Sequence, residues 1–279
     1  MGARATARLA AAGHDVVDLT SQTPAEAEDR ARSLVHDVDA LVVVGGDGLV
    51  NLGVNVVAGT GTPLGVVAAG TGNDVADSLG LPVSRPEQAA DVVLAGHVRE
   101  VDAVRRTDDD HRTPRWYAGV LCGGFDAIVN ERANGWVWPR GRMRYNLAIA
   151  RERRCSARCR TASRLDGEPW VTEAMLVAVA NGRSYGGGMR VTPDARMDDG
   201  LLDVLVVGPL SVPALARVFP KVFRGEHTSH PAVTIRRARR VRLETAGVVA
   251  YADGERFGPL PVEVEVVPSA LRVLAPPGA

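Results

Sequence analysis

The chain has 279 residues, long enough for one large domain or two modest ones. Apolar residues make up 46% and charged residues 24%, which argues against a wholly disordered, collagenous or membrane-spanning protein. Lys+Arg and Asp+Glu balance at 33 each, so no global attraction to polyanions is encoded, although Lys221 is the only lysine and nearly every cation is arginine. Cys122, Cys155 and Cys159 are too few to frame a chain of this length with disulfides, which suits a reducing cytosol. No apolar run reaches the roughly 18 residues of a membrane-spanning helix. The start, Met1-Gly2-Ala3-Arg4, opens no hydrophobic signal core.

In chain order, residues 3–12 are rich in alanine and arginine and predict a helix ending at Gly13. His14 to Leu19 reads as a short strand. Pro24 to His36 predicts a second helix, with Ala27, Ala31, Leu34 and Val35 as its inner face. Leu41 to Val44 is a short buried strand, and a weak helix follows from Leu49 to Ala58. Leu64 to Ala68 is another buried strand, leading into a helix that ends near Leu79. This alternation predicts a parallel sheet with helices on both faces. Near residue 100 the pattern turns to strands: Val98–Arg105, Tyr117–Cys122, Ala174–Ala180, Leu201–Val207, Val233–Leu243 and Val262–Val267. One helical insertion is expected near 143–155. The reading is an α/β nucleotide-binding domain over 1–102 and a mostly β, sandwich-type domain over 103–279.

Two glycine-rich turns end the two buried strands of the front half, and each opens a helix. In an open α/β sheet, ligands bind at that edge. Gly45, Gly46 and Gly48 let backbone N–H groups approach an anion unobstructed, and Gly70, Thr71 and Gly72 do so beside a helix N-terminus. Neither turn is a G-x-G-x-x-G fingerprint or a Walker A loop. Asp47 and Asp74 suit helix caps, and equally the orienting of a nucleotide or a metal–water network. Asp253-Gly254 alone reads as a hairpin turn.

The segment VVVGGDG, spaced from PLGVVAAGTGNDVADSLGLP, resembles the catalytic domain of the diacylglycerol, sphingosine and ceramide kinases, above all the bacterial diacylglycerol kinases. Three later segments carry the same resemblance: GVLCGGFDAIVNERAN, NGRSYGGGMRVTPDARMDDGLLDV and YADGERFGPLPVEVEVVPSALRV. The resemblance implies ATP in a cleft between an α/β domain and a β-sandwich. Gly45, Gly46, Asp47, Gly48, Leu49, Val50, Asn51, Thr71, Gly72 and Asn73 would line the nucleotide, with Thr20 nearby. Asp47, Asp74 and Asp102 would belong to a catalytic magnesium–water network. Asp253 and Glu255 would be the catalytic acids, with Asp253 accepting a proton from the lipid hydroxyl. A second magnesium would sit on Asp199 and the backbone carbonyls of Arg196 and Leu201.

Two features depart from the family pattern. Its usual opening, a strand and an Asn-Pro-x-x-Gly type loop, has no counterpart before the first helix, so the first strand of the sheet is expected to be missing and this chain alone to be poorly stable and weakly active. Leu49 stands where the family has threonine after GGDG. Between Arg132 and Arg164 lie ten arginines against one acid, Glu152, a net charge of +9, together with Trp136 and Trp138. That stretch is expected to face anionic lipid at a membrane surface, and no groove-reading motif points to nucleic acid. The expectation is a cytoplasmic, peripherally membrane-associated ATP- and Mg²⁺-dependent kinase that converts diacylglycerol to phosphatidic acid. An NAD kinase-like nucleotide kinase and an inactive lipid- or nucleotide-binding relic stand as rivals. The acceptor lipid and the oligomeric state, with a homodimer one option, stay open.

Overall fold

The structure is a computed structural model that describes residues 2–108, 114–124, 159–245 and 247–278. The helix expected near 143–155 and most of the basic stretch 132–164 lie outside the described residues. Helix α1 (Gly2–Ala11) ends just before Gly13, whose φ is 90°. Helix α2 (Pro24–Leu34) starts at Thr23, whose hydroxyl accepts the Glu26 N–H at 3.2 Å, with proline in the first turn. Strand β1 (Leu41–Gly45), helix α3 (Asp47–Val57), strand β2 (Leu64–Ala68) and helix α4 (Asp74–Ser78) follow. Helix α5 (Pro86–Ala95), which the sequence reading missed, leads into β3 (Val98–Arg106).

β1 and β2 pair in parallel, from Leu41↔Leu64 to Gly45↔Ala68. Their side chains alternate between two apolar layers. Leu41, Val43, Leu64 and Val66 face α2 and α3, where Ala31, Val35, Val54 and Val57 are buried. Val42, Val44 and Val67 face Ala5 of α1 and Ala89 and Ala90 of α5. Gly53 lowers the intrinsic helicity of α3, but a Cβ there would lie 2.8 Å from Val43 and 2.9 Å from Leu64. Its absence lets α3 lie close on the sheet, which sets the height of the first glycine turn.

Downstream are β4 (Trp116–Tyr117), β5 (Val120–Gly124), β6 (Cys159–Leu165), β7 (Glu168–Ala174), β8 (Leu176–Ala180) and β9 (Leu202–Val207). Helix α6 (Val212–Val222) and a short 3-10 turn (Glu226–Ser229) precede β10 (Val233–Ala238), β11 (Arg240–Glu244), β12 (Val249–Ala252), β13 (Glu255–Pro259) and β14 (Val262–Leu274). Among the described residues these strands form two sheets. One runs β1-β2-β14-β11-β6-β7, with β3 beside β14 and β4 beside β3; the other runs β10-β9-β8-β5-β12-β13. Tyr117, Leu121, Val179, Val204, Val241, Leu243, Val262 and Val264 fill the sandwich between them.

Four strand expectations change, and the first is that Tyr117–Cys122 is split between β4 of one sheet and β5 of the other. His14 to Leu19 forms no strand, because a strand exists only by pairing and these residues pair with neither sheet. Val233–Leu243 is two strands, β10 in one sheet and β11 in the other. β14 continues past Val267 through a register shift, so that Leu271–Leu274 pairs with β3 and Val273 meets Leu64 of β2 in parallel. The end of the chain therefore helps build the front sheet.

Candidate active site

β1 delivers Gly45, Gly46 is the N-cap of α3, and Asp47 is its first residue. β2 delivers residues 69–73 in the same way, beside β1 and at the same sheet edge. The two turns touch backbone to backbone. A Cβ on Gly70 would lie 2.5 Å from the Gly46 Cα. The Ala69 N–H donates to Gly45 O at 2.8 Å. Asp47 reaches across: its carboxylate accepts the Asn73 N–H at 2.8 Å and the Asp74 N–H at 2.9 Å. Asn73 takes a left-handed conformation with φ 60°, accepts the Gly70 N–H at 2.9 Å and donates to Gly70 O at 2.8 Å. The two cradles are thus one rigid unit, and their glycines leave backbone space for an anion that a side chain would fill.

Three of the other predicted acids, Asp74, Asp102 and Asp253, grip backbone N–H groups of a distant segment. Asp74 accepts from Gly187 at 2.8 Å and Gly188 at 2.7 Å. Asp102, buried on β3, accepts from Gly200 at 2.7 Å and Ser269 at 3.0 Å. Asp253, at φ 50° in the turn between β12 and β13, accepts from Ala118 at 3.0 Å, Gly119 at 3.0 Å and Val120 at 2.9 Å. Burial pushes the Asp253 carboxyl above its ordinary value against the pull of these three donors, and the nearby Asp47 charge pushes the same way. Burial also raises Asp74, opposed by the two glycine donors and aided by Asp47 and Asp77. Tyr117 lies well above its ordinary value, first through burial and then through Asp253, and its hydroxyl donates to Val179 O at 3.2 Å.

Glu255 brings the rear turn onto the front cradle, because a Cβ on Gly48 would lie 2.8 Å from its Oε1. A Cβ on Gly119 would lie 2.5 Å from Asp253 Oδ1 and 3.2 Å from Val75 of α4. Leu49 folds back over the first turn, its Cδ1 2.5 Å from where a Gly45 Cβ would stand. Val50 is buried in the core, and Asn51 accepts from Asn55 Nδ2 at 3.2 Å. Thr71 is exposed, and a Cβ on Gly72 would overlap Asp47 Oδ2. Thr20 sits in the irregular segment before α2, its N–H on Asp18 and its carbonyl on Arg30. Asp199 accepts from Leu201 N–H at 3.2 Å and is ion-paired with Arg237. A carboxylate needed by a divalent cation there already carries a cation of its own. Among the described residues no three metal-ligating side chains converge.

Sequence reading missed Asn55, which holds α3 to the second half. Its amide donates to Trp116 O at 2.9 Å and accepts the Trp116 N–H at 2.9 Å. It also missed Asn181, fully buried, which donates to the carbonyls of Asp102 and Ala118. The Gly186–Gly188 triplet within NGRSYGGGMR was a visible signal for a loop that needs positive φ.

Residues 2–106 match the Diacylglycerol kinase catalytic domain, and residues 119–275 match the YegS C-terminal NAD kinase beta sandwich-like domain. A diacylglycerol kinase of Mycobacterium tuberculosis (strain ATCC 25618 / H37Rv) is 41% identical over 274 residues, which span 98% of this chain and 88% of that one. The chain belongs to the diacylglycerol kinase family. It is a phosphotransferase of the lipid kinase class, and membership implies ATP as the donor. A diacylglycerol kinase of Staphylococcus saprophyticus is 27% identical over 237 residues, 84% of this chain and 75% of that one. Two solved structures share the fold. A putative diacylglycerol kinase from Bacillus anthracis str. Sterne has a TM-score of 0.74 at 23% identity, covering 92% of this chain and 84% of that one. An NAD kinase from Archaeoglobus fulgidus in complex with ATP has a TM-score of 0.54 at 12% identity, covering 97% and 87%. In this kinase the strand-to-helix cradles and the two-sheet half correspond to the two matched regions. Among the described residues, no helix is long and apolar enough to cross a membrane.

Proposed function

We propose that this kinase moves the γ-phosphoryl group of ATP to the primary hydroxyl of diacylglycerol, giving phosphatidic acid and ADP. The observation that carries the reading is the meeting of the Asp253–Glu255 turn with the Gly45–Gly48 cradle across Gly48. The backbone N–H groups at Gly46–Gly48 and at Thr71 and Gly72, which the internal bonds of the cradles leave over, hold the phosphates, and the N-terminus of α3 adds its partial positive charge. Asp253 accepts the hydroxyl proton as the lipid oxygen forms its bond to phosphorus, since burial raises the proton affinity of its carboxylate. Glu255 sits at the cradle to orient that hydroxyl. The hard oxygens of Asp47 and Asp74 suit a magnesium–water network, because each carboxylate oxygen keeps a lone pair beyond its one N–H bond. Magnesium bound there with the nucleotide supplies charge neutralisation at the phosphates. The basic stretch 132–164 brings the enzyme to anionic lipid from the aqueous side.

The test is phosphoryl transfer from labelled ATP to a panel of lipid alcohols: diacylglycerol, a sphingoid base, undecaprenol and phosphatidylinositol. Labelled phosphatidic acid is expected, with Asp253→Asn losing about 10²–10⁴-fold in kcat as removal of a proton acceptor should. Preferred labelling of another lipid would replace the acceptor, and labelling of NAD alone would replace the class.

A further inference from the structure

The resemblance puts a second magnesium on Asp199 and the carbonyls of Arg196 and Leu201, but in this fold a side chain takes that place. Arg237 Nη2 is ion-paired with Asp199 Oδ2, and its Nε lies 3.6 Å from Asp203 Oδ1. The pairing is written into the sheet, since Arg237 on β10 stands directly opposite Asp203 on β9. Asp203 is only 7% exposed, and its Oδ2 is buried with no hydrogen-bond partner. A buried carboxylate with one unsatisfied oxygen, beside a second carboxylate that shares the same arginine, favours a neighbouring cation. The cation the chain provides is a guanidinium.

The turn so held joins the two sheets. Gly200 donates to Asp102 on β3, and Asp102 also accepts from Ser269 on β14. Asp198 is ion-paired with Arg99 of β3 at 3.1 Å. Residues 196–201 therefore tie β3 and β14 of one sheet to β9 and β10 of the other, and the Asp199–Arg237 pair is the part of the tie that reaches β10.

We propose that Arg237 replaces the divalent cation at the Asp199–Asp203 turn. The chain then holds the turn without metal, and a magnesium- or calcium-binding site appears only when the charge of Arg237 is removed. The guanidinium spans two carboxylates with a rigid fork and is tethered to β10, so its occupancy does not depend on any ion concentration, whereas magnesium must first shed water. This goes beyond the kinase reading and stands whichever lipid or nucleotide is used.

Nucleotide-free wild type is melted in excess EDTA and in millimolar MgCl₂ or CaCl₂, alongside Arg237→Gln and Arg237→Gln/Asp199→Asn. The wild-type Tm is expected to be the same in all three solutions, with no bound divalent metal by elemental analysis. Arg237→Gln is expected to lose Tm in EDTA, to regain it with either cation and to bind one equivalent. The double variant should lose that recovery. A wild-type Tm that falls in EDTA, or a folded Arg237→Gln that ignores both cations, overturns the proposal. If Arg237→Gln does not fold as expressed, refolding from denaturant keeps the question decidable: soluble protein only with the cation supports it, and aggregation with and without cation overturns it.

Discussion

Glu255 lies over Gly48: the carboxylate at the start of β13 stands 2.8 Å from where a Cβ on that glycine would be. The two residues are far apart in the chain, one at the opening of α3 and the other beyond the β12–β13 turn. Their approach is one of the places where the front and rear halves meet. It arises because Asp253 turns inward onto residues 118–120 while Glu255, two residues on, turns outward and is exposed.

Gly48→Ala is expected to leave the fold standing and to reduce activity. The added methyl meets only the flexible end of Glu255, which can swing away. A displacement near 1 Å at a reacting centre costs up to about 10²-fold in rate. Turnover should therefore fall ~10–100-fold while the Tm stays near wild type. Glu255→Gln should show a similar loss, and the double variant should be no worse than either single one. Multiplicative losses would mean that the two residues act independently.

Gly70→Ala should behave differently, because the methyl would meet the Gly46 Cα, which is backbone and cannot swing aside. Overpacking of this kind costs about 1–3 kcal/mol. Denaturant melts should show that loss, and nucleotide affinity should fall with it because both cradles are displaced. Wild-type stability together with wild-type affinity would contradict the close approach.

Asn55 ties the first glycine cradle to the segment that holds Asp253. Asn55→Leu strands the Trp116 N–H and C=O, and each unpaired group costs about 1–3 kcal/mol. Asn55→Asp keeps the acceptor for Trp116 N–H and loses the donor, so its melting point should fall between the two. Equal melting of Asn55→Leu and wild type would show that the pair contributes nothing.

Part of this site was legible in the chain and part was not, for physical reasons. The cradles announce themselves because a buried valine run ending in glycines has few other uses at a strand-to-helix turn. The Asp253-Gly254 turn was visible as a hairpin signal, but its inward carboxylate was not, since the donors at Ala118, Gly119 and Val120 lie more than 130 residues earlier. Asn55 and Trp116 hid in the same way, 61 residues apart. Val233–Leu243 read as one strand because composition does not change where the chain passes from one sheet to the other. His14–Leu19 has strand composition but, among the described residues, no strand pairs with it, and pairing is not a property of a short segment. Arg237 and Asp203 look like ordinary surface charges until the register of β9 and β10 sets them opposite each other.

Asp74 gives the fold a pH dependence of definite sign. Burial raises its carboxyl above the unfolded value, against the Gly187 and Gly188 donors. Between the unfolded and folded values the native state therefore binds more protons than the unfolded chain. The slope of unfolding free energy with pH is then negative for this group. Its contribution is fully present below the unfolded value and is lost as pH rises through the raised folded value. Asp74→Asn cannot titrate, so the wild-type Tm minus the variant Tm should be largest in acid and should shrink as pH rises through the window just above the usual carboxylate range. The variant also replaces one oxygen that accepts from the Gly187–Gly188 pair with an amide that cannot, so its Tm should lie below wild type at the acid end, where the titration term favours wild type most. A difference that stays flat across that window, or that widens with pH, would mean that Asp74 is not raised in the folded state.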